Sequence, residues 1–233
     1  MTYALALHTS SPDLGLAIDN FAGDARSQVW DLGRALSTHL HAYLQEFLQP
    51  QTFAELAFLA IATGPGSFTG TRIGVVTART LAQQFNLPLF GISSLAAYAY
   101  GERSRRLLTP FTNSSTAPSD VLSDAPTDIG DIAVQMPAQR GELYTAIYSQ
   151  VDGRWSALAP DAVLTGERWQ ELLAGWPRPY HLLDVGANLG CCAVSVLHLA
   201  YLDWKKGDRP DWSTALPFYG QLCVGPVGGS AQP

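Results

Sequence analysis

The chain has 233 residues, of which 47% are hydrophobic and 15% charged, with a net charge of −6. That is enough apolar material for one large domain or two small ones, and the negative balance argues against unassisted, tight binding to a nucleic-acid backbone, which needs clustered Lys and Arg. The three cysteines, Cys191, Cys192 and Cys223, supply neither a disulfide framework nor C-x-x-C metal spacing and read as buried free thiols. The opening Met1-Thr2-Tyr3-Ala4-Leu5-Ala6-Leu7-His8 lacks a basic region and a signal-length apolar run, and no stretch reaches membrane-spanning length, so a cytoplasmic location is expected. Strands are expected at Tyr3 to Thr9, Gly15 to Asp19 and Ser27 to Leu32, an opening meander. A helix follows from about Arg34 to Gln49, with Leu36, Leu40, Tyr43, Leu44, Phe47 and Leu48 at helical spacing and Pro50 as its stop.

Ala57 to Thr63 is an unbroken apolar run of strand length, which predicts a buried parallel strand. It leads into Gly64-Pro65-Gly66-Ser67-Phe68-Thr69-Gly70-Thr71-Arg72-Ile73-Gly74, a tight turn opening a helix that starts near Thr69 or Thr71 and runs to about residue 86. A strand at Pro88 to Gly91 and a helix from Ser93, its cap, to about Arg103 complete the order βββαβαβα. That order is the ribonuclease H-like layout, the repeating unit of the actin and sugar kinase superfamily. Residues 104–130 are polar, Pro-containing and aperiodic, and read as a linker or surface insertion. Order resumes with strands at Asp131 to Met136, Glu142 to Gln150 and Arg154 to Leu158, a helix from Thr165 to Ala174, a strand from Tyr180 to Val185 and a helix from Ala187 to Trp204. The expected organisation is a first lobe at 1–103, the linker at 104–130, an abbreviated second lobe at 131–225 and a tail at 226–233.

The glycine turn admits two readings. Its strand, turn, helix geometry would aim backbone N–H groups of Gly64, Gly66, Ser67, Thr69 and Gly70 at one point, an anion site of vestigial kind. The spacing is G-x-G-x-x-x-G, one residue longer than the dinucleotide fingerprint, and no P-loop lysine follows, so a turn needed only for packing is the competing reading. On the helix beyond it, Gly70, Gly74, Ala78 and Ala82 form a ridge of very small residues at i, i+4 spacing, beside a second row of Ile73, Thr77, Leu81 and Phe85. Small residues let a neighbouring backbone approach, so a second helix is expected on that ridge, from the same chain or from a partner.

Elsewhere the chemistry is sparse. His39 and His41 at i, i+2 point to opposite sides of a helix, which removes the metal reading. His8 stands at the end of the first strand, where nucleotide-handling members of the superfamily place a carboxylate, and reads as structural because Mg²⁺ prefers oxygen ligands. Ser67, Ser93 and Ser94 have no His/Asp arrangement, Asp13, Asp19 and Asp184 lie near strand ends where Asp13 and Asp19 fit ordinary turns, and Trp169, Trp176, Trp204 and Trp212 form no stacking platform.

The run from Gly64 to Gly74, placed after Leu7-His8-Thr9-Ser10-Ser11, together with Arg140-Gly141-Glu142-Leu143-Tyr144, resembles the bacterial TsaB (YeaZ) family, a likeness carried by residues 1–103 and, less, by 132–150. The resemblance implies an α/β, actin-like fold of two ribonuclease H-like lobes, the second abbreviated. It further implies a non-catalytic relative of TsaD, without cofactor or metal of its own. Such a subunit pairs with TsaD, works alongside the ATPase TsaE, meets tRNA through the complex and self-pairs when alone. The process implied is threonylcarbamoyl transfer to the adenosine beside the anticodon of ANN-decoding tRNAs. It also implies an interface on the helix after the glycine turn, at Gly70, Arg72, Gly74, Val75, Ala78, Arg79 and Ala82, and so favours the intermolecular version of the ridge. The chain departs from many relatives in carrying His8 for Asp and Pro137-Ala138-Gln139 for an Asp-Ala-Arg run. The i, i+4 histidine pair of a metallopeptidase is absent, which excludes that activity. Rival readings are an ATP-dependent kinase of the same superfamily, which would need an aspartate-held Mg²⁺ and a phosphate loop in each half, and a stand-alone homodimer.

Overall fold

The computed structural model describes residues 2–108 and 130–220, the side chains of residues 107 and 108 aside. The expected tail at 226–233, Cys223 and most of the expected linker lie outside the described residues. The first half runs β1 (Tyr3–His8), β2 (Asp13–Asp19), β3 (Ala25–Asp31), α1 (Leu36–Leu48), β4 (Leu56–Ala62), α2 (Phe68–Phe85), β5 (Leu89–Ile92) and α3 (Ser94–Leu108). The second runs β6 (Asp131–Pro137), β7 (Glu142–Val151), β8 (Arg154–Thr165), α4 (Gly166–Ala174), β9 (Tyr180–Asp184) and α5 (Ala193–Lys205).

One sheet has the order β3-β2-β1-β4-β5 and the other β8-β7-β6-β9. In each, an antiparallel meander is extended by a parallel strand on its first member: β1 pairs with β4 and β6 with β9. The second sheet therefore repeats the first without its fifth strand, as the abbreviated echo in the sequence implied.

The first sheet, its edge strand β3 aside, is buried on both faces. Leu5, Leu7, Leu16, Leu59 and Ile61 pack with Leu40 and Leu44 of α1 and with Val75, Ala78 and Ala82 of α2. On the opposite face Ala4, Ala6, Ala60 and Ala62 lie in one core with α3, α5 and Ile132, Val134 and Tyr148 of the second sheet. Small residues there let α5 approach β1 and β2 closely. The outer face of the second sheet is closed by Trp169 and Leu173 of α4 against Ala133 and Ile147. The layers are thus helix, sheet, helix, sheet, helix, with α3 and α5 in the middle.

Several boundaries differ from the sequence reading. Helix α2 begins at Phe68 because Ser67, not Thr69 or Thr71, is the cap: the Gly70 N–H donates to Ser67 Oγ at 3.2 Å. Helix α3 runs to Leu108 rather than Arg103, so the first residues assigned to the linker are helical. Strand β8 continues to Thr165 past Leu158; the ladder shifts register opposite β7, and Pro160 and Asp161 fall in the break. Helix α5 starts at Ala193, six residues later than expected from Ala187, since the preceding stretch is held in a separate turn. Ser93 does cap α3, its Oγ accepting from the Leu95 and Ala96 amides at 3.1 and 3.2 Å.

Asp161, released by the β8 irregularity, ties the two sheets together. Ser93 Oγ donates to it at 2.6 Å and the Tyr148 hydroxyl donates to its other oxygen. Burial holds the Asp161 carboxyl above the usual carboxylate range despite these donors, and burial together with the Asp161 charge pushes the Tyr148 hydroxyl well up. Tyr148→Phe removes one donor from a buried acid, and a loss of about 1–3 kcal/mol in urea unfolding at neutral pH is expected.

Candidate functional site

The glycine turn is shaped by what it receives. Gly64 and Gly66 sit at φ +92° and +154°, and the Ser67 N–H donates to the Ser10 carbonyl at 2.7 Å. A Cβ at Gly66 would lie 2.0 Å from Ser10 O, one at Gly70 2.2 Å from Thr9 O, and one at Gly74 2.0 Å from Thr9 Oγ1. The three glycines form a groove for the β1–β2 loop, which fills it. The amides of Ser67 and Gly70, two of the residues in the expected anion turn, are engaged inside the chain, so packing accounts for the motif.

The same geometry corrects the reading of the small-residue ridge. Gly70, Gly74, Val75, Ala78 and Ala82 all face inward; Ala78 and Ala82 are wholly buried against the first sheet. What approaches the ridge is the end of β1 and the sheet of the same chain, not a second helix. Rows two residues apart on a helix are rotated by about 200°, so the opposite face carries Phe68, Arg72, Val76, Thr80 and Gln84, every one exposed. Phe68 is 57% and Val76 63% exposed, large values for apolar side chains. The Arg72 guanidinium lies 3.7 Å from the Phe68 ring centroid and 5.0 Å from that of Tyr219, and half-buried Arg79 lies 5.3 Å from the Trp212 ring. Of the expected interface residues, then, Arg72 and Arg79 reach the outer face. Phe68, Val76 and Tyr219 were missed, although Phe68 and Val76 are the apolar members of an otherwise polar i, i+4 row.

Beside this face a cleft of about 740 Å³ opens between the sheets, walled by Ser67, Phe68 and Thr71 on one side, Arg140 and Tyr144 on the other, and Tyr219. A neighbouring cavity of about 310 Å³ lies between Ser10, Ser11, Met136 and Val185. Arg140 and Gly141 both adopt left-handed backbone, with φ +59° and +77°, at the lip. Among the described residues there is no group of three or more His, Cys, Asp or Glu that could hold a metal.

Asp13 is not the ordinary turn residue expected. It is buried, takes the Ser11 hydroxyl, and accepts the Gly190 N–H at 2.8 Å, while Ser11 Oγ accepts the Leu189 N–H at 3.1 Å. This pair clamps the turn before α5 onto the first sheet. Asp19 does serve a local turn, taking the Phe21 N–H at 2.6 Å, whereas Asp184 takes the Gln135 side-chain amide at 2.7 Å.

His8 is fully buried, and neither ring nitrogen has a hydrogen-bond partner among the described residues. Burial depresses its pKa to about 4, against a smaller opposing pull from Asp13. The folded state thus resists a proton that the unfolded chain takes up near pH 6.5. Stability is full above about pH 6.5 and falls as pH drops toward 4, by about 3 kcal/mol if His8 acts alone. Urea midpoints between pH 7 and 5 are expected to fall in the native chain and to fall less in His8→Leu.

Comparison with known proteins adds a family likeness. Residues 33–113 match the family model for TsaD, tRNA N6-adenosine threonylcarbamoyltransferase. The chain is 28% identical over 191 residues to the Bacillus subtilis protein named tRNA threonylcarbamoyladenosine biosynthesis protein TsaB, covering 79% of this chain and 72% of that one. It is 31% identical over 130 residues to the Escherichia coli protein of the same name, covering 54% of this chain and 47% of that one. The fold is shared with YeaZ from Pseudomonas aeruginosa at a TM-score of 0.67 and 22% identity, across 94% of this chain and all of the other. The fold is actin-like with two lobes, and the glycine run and these matches together make the chain similar to the TsaB (YeaZ) proteins.

Proposed function

We propose that this chain is a non-catalytic subunit in the biosynthesis of threonylcarbamoyladenosine in tRNA, acting by pairing with a TsaD-type transferase. Likeness to TsaB proteins supports the process: the similar Bacillus subtilis and Escherichia coli proteins carry it in their names. The observation that carries the non-catalytic reading is the filled glycine groove. The loop Thr9-Ser10 occupies the space above the turn, and His8 stands where a metal-holding carboxylate would be needed. The kinase alternative requires both features and has neither.

Pairing is assigned to the outer face of α2, with Phe68 and Val76 as apolar anchors, Arg72 and Arg79 as charged partners, and Gly70, Gly74, Val75, Ala78 and Ala82 seating the helix from behind. An aromatic and arginine centre is the usual composition of an energetically important contact. The same face would mediate self-pairing when the transferase is absent. TsaE joins as the ATPase of the assembly and tRNA is met through the complex; the net charge of −6 supports leaving RNA binding to another subunit. No helix of the described residues is long and apolar enough to cross a membrane.

The test is threonylcarbamoyl transfer to tRNA in a system reconstituted from the same organism, with and without this chain. The expected result is that modification depends on it. Undiminished transfer in its absence would overturn the proposal.

A further inference from the structure

The outer face of α2 holds one charge that the chain itself does not answer. Arg72 is exposed, with its guanidinium 3.7 Å from the Phe68 ring centroid and 5.0 Å from that of Tyr219, and it makes neither a hydrogen bond nor an ion pair among the described residues. The two rings fix the position of the guanidinium, while its N–H fork has no oxygen to donate to. Arg79 is placed differently. It is half-buried beside the Trp212 ring, and it adds to the hydrogen bonds from Ser213 that hold the Asp211 carboxyl below the usual range, so a carboxylate of the same chain is already near it.

Pairing on this face takes Arg72 out of water. A guanidinium sealed in a contact without an anion weakens that contact, whereas one that meets a carboxylate through two parallel N–H···O bonds strengthens and orients it. A second copy is poorly equipped to supply the anion. From Phe68 to Phe85, α2 contains no Asp or Glu, and the neighbouring α1 has only Glu46, in its last turn. Two α2 helices laid antiparallel about Val76 set Arg72 against Thr80, and laid parallel they set Arg72 against its own counterpart. Phosphate is the other anion that arginine takes, but one free guanidinium on a chain of net charge −6 falls far short of the several contacts that hold RNA. We propose that the outer face of α2 is built for a helix of a different protein, one with an Asp or Glu opposite Arg72 and apolar side chains that receive Phe68 and Val76, and that a second copy of this chain is the weaker occupant. The proposal rests on the assignment of pairing to this face.

The test is association of the full chain with the TsaD-type protein of the same organism, titrated at 50 and 500 mM NaCl, for the native chain and for Arg72→Gln, Arg72→Lys, Arg72→Glu and Val76→Arg. The native affinity is expected to fall several-fold with salt. Arg72→Gln is expected to weaken it about 30-fold or more and Arg72→Lys to recover only part, since an ammonium lacks the fork. Arg72→Glu is expected to act in opposite directions: it abolishes association with the other protein and strengthens self-association of the chain alone, because it gives α2 the carboxylate it lacks. Arg72 lies outside the core, so thermal midpoints are expected to stay at the native value in all three Arg72 variants. If Val76→Arg blocks association while Arg72→Gln and Arg72→Glu bind as the native chain does, the face stands and the acidic partner is overturned. Self-association weakened by Arg72→Glu, or tRNA binding by the chain alone that Arg72→Gln weakens, would also overturn it. Undiminished association of Val76→Arg would instead overturn the pairing face on which the proposal rests.

Discussion

Gly70→Ala is expected to cost about 3 kcal/mol or more, because the new methyl would sit 2.2 Å from the backbone oxygen of Thr9 and neither α2 nor the β1–β2 loop has a flexible atom to yield. Gly74→Ala meets a side chain instead, Thr9 Oγ1 at 2.0 Å with Thr9 Cβ and Cγ2 at 3.1 Å. The second clash is therefore repairable: Thr9→Ala is expected to recover part of the Gly74→Ala loss and none of the Gly70→Ala loss. Urea unfolding of the two double-mutant cycles reads the difference as a coupling energy. Equal costs at the two glycines, with no rescue, would mean that α2 does not seat on the loop in this way.

Val76→Arg is expected to leave stability within about 0.5 kcal/mol of native, since the side chain is 63% exposed and outside the core. It places a charge at the middle of the outer row, and in the reconstituted system it is expected to lower threonylcarbamoyl transfer about tenfold or more. A buried unpaired charge at an interface costs more than the roughly 1.4 kcal/mol that a tenfold loss of affinity represents. Phe68→Ala is expected to act in the same direction, because it also removes the ring on which Arg72 rests. Thermal unfolding run beside the assay separates a lost contact from a lost fold.

The helices and strands of the first lobe were legible because their signals are local. The unbroken apolar run ending at Thr63, the glycines after it and the Pro50 stop each act within a few residues. What covers a face is not local. Gly70, Gly74, Ala78 and Ala82 announce a close neighbour, yet spacing cannot say whether that neighbour is another chain or the end of β1, and the latter holds. The clamp from Asp13 to Gly190 spans 177 residues and the tie from Ser93 to Asp161 spans 68, so neither leaves a trace in any sequence window. The end of β8 was set short, at Leu158, because the register break that carries Pro160 and lets the strand run on to Thr165 depends on its pairing with β7. Cys191 is exposed and Cys192 buried, a difference set only by the way a clamped turn points them.

The most direct test of the account is association of the purified chain with the TsaD-type protein of the same organism, measured by sedimentation velocity for the native chain and for Val76→Arg. The account expects a heterodimer with the native chain and its loss with Val76→Arg at unchanged thermal stability. Undiminished association of Val76→Arg would contradict the assignment of the outer face of α2 as the pairing surface.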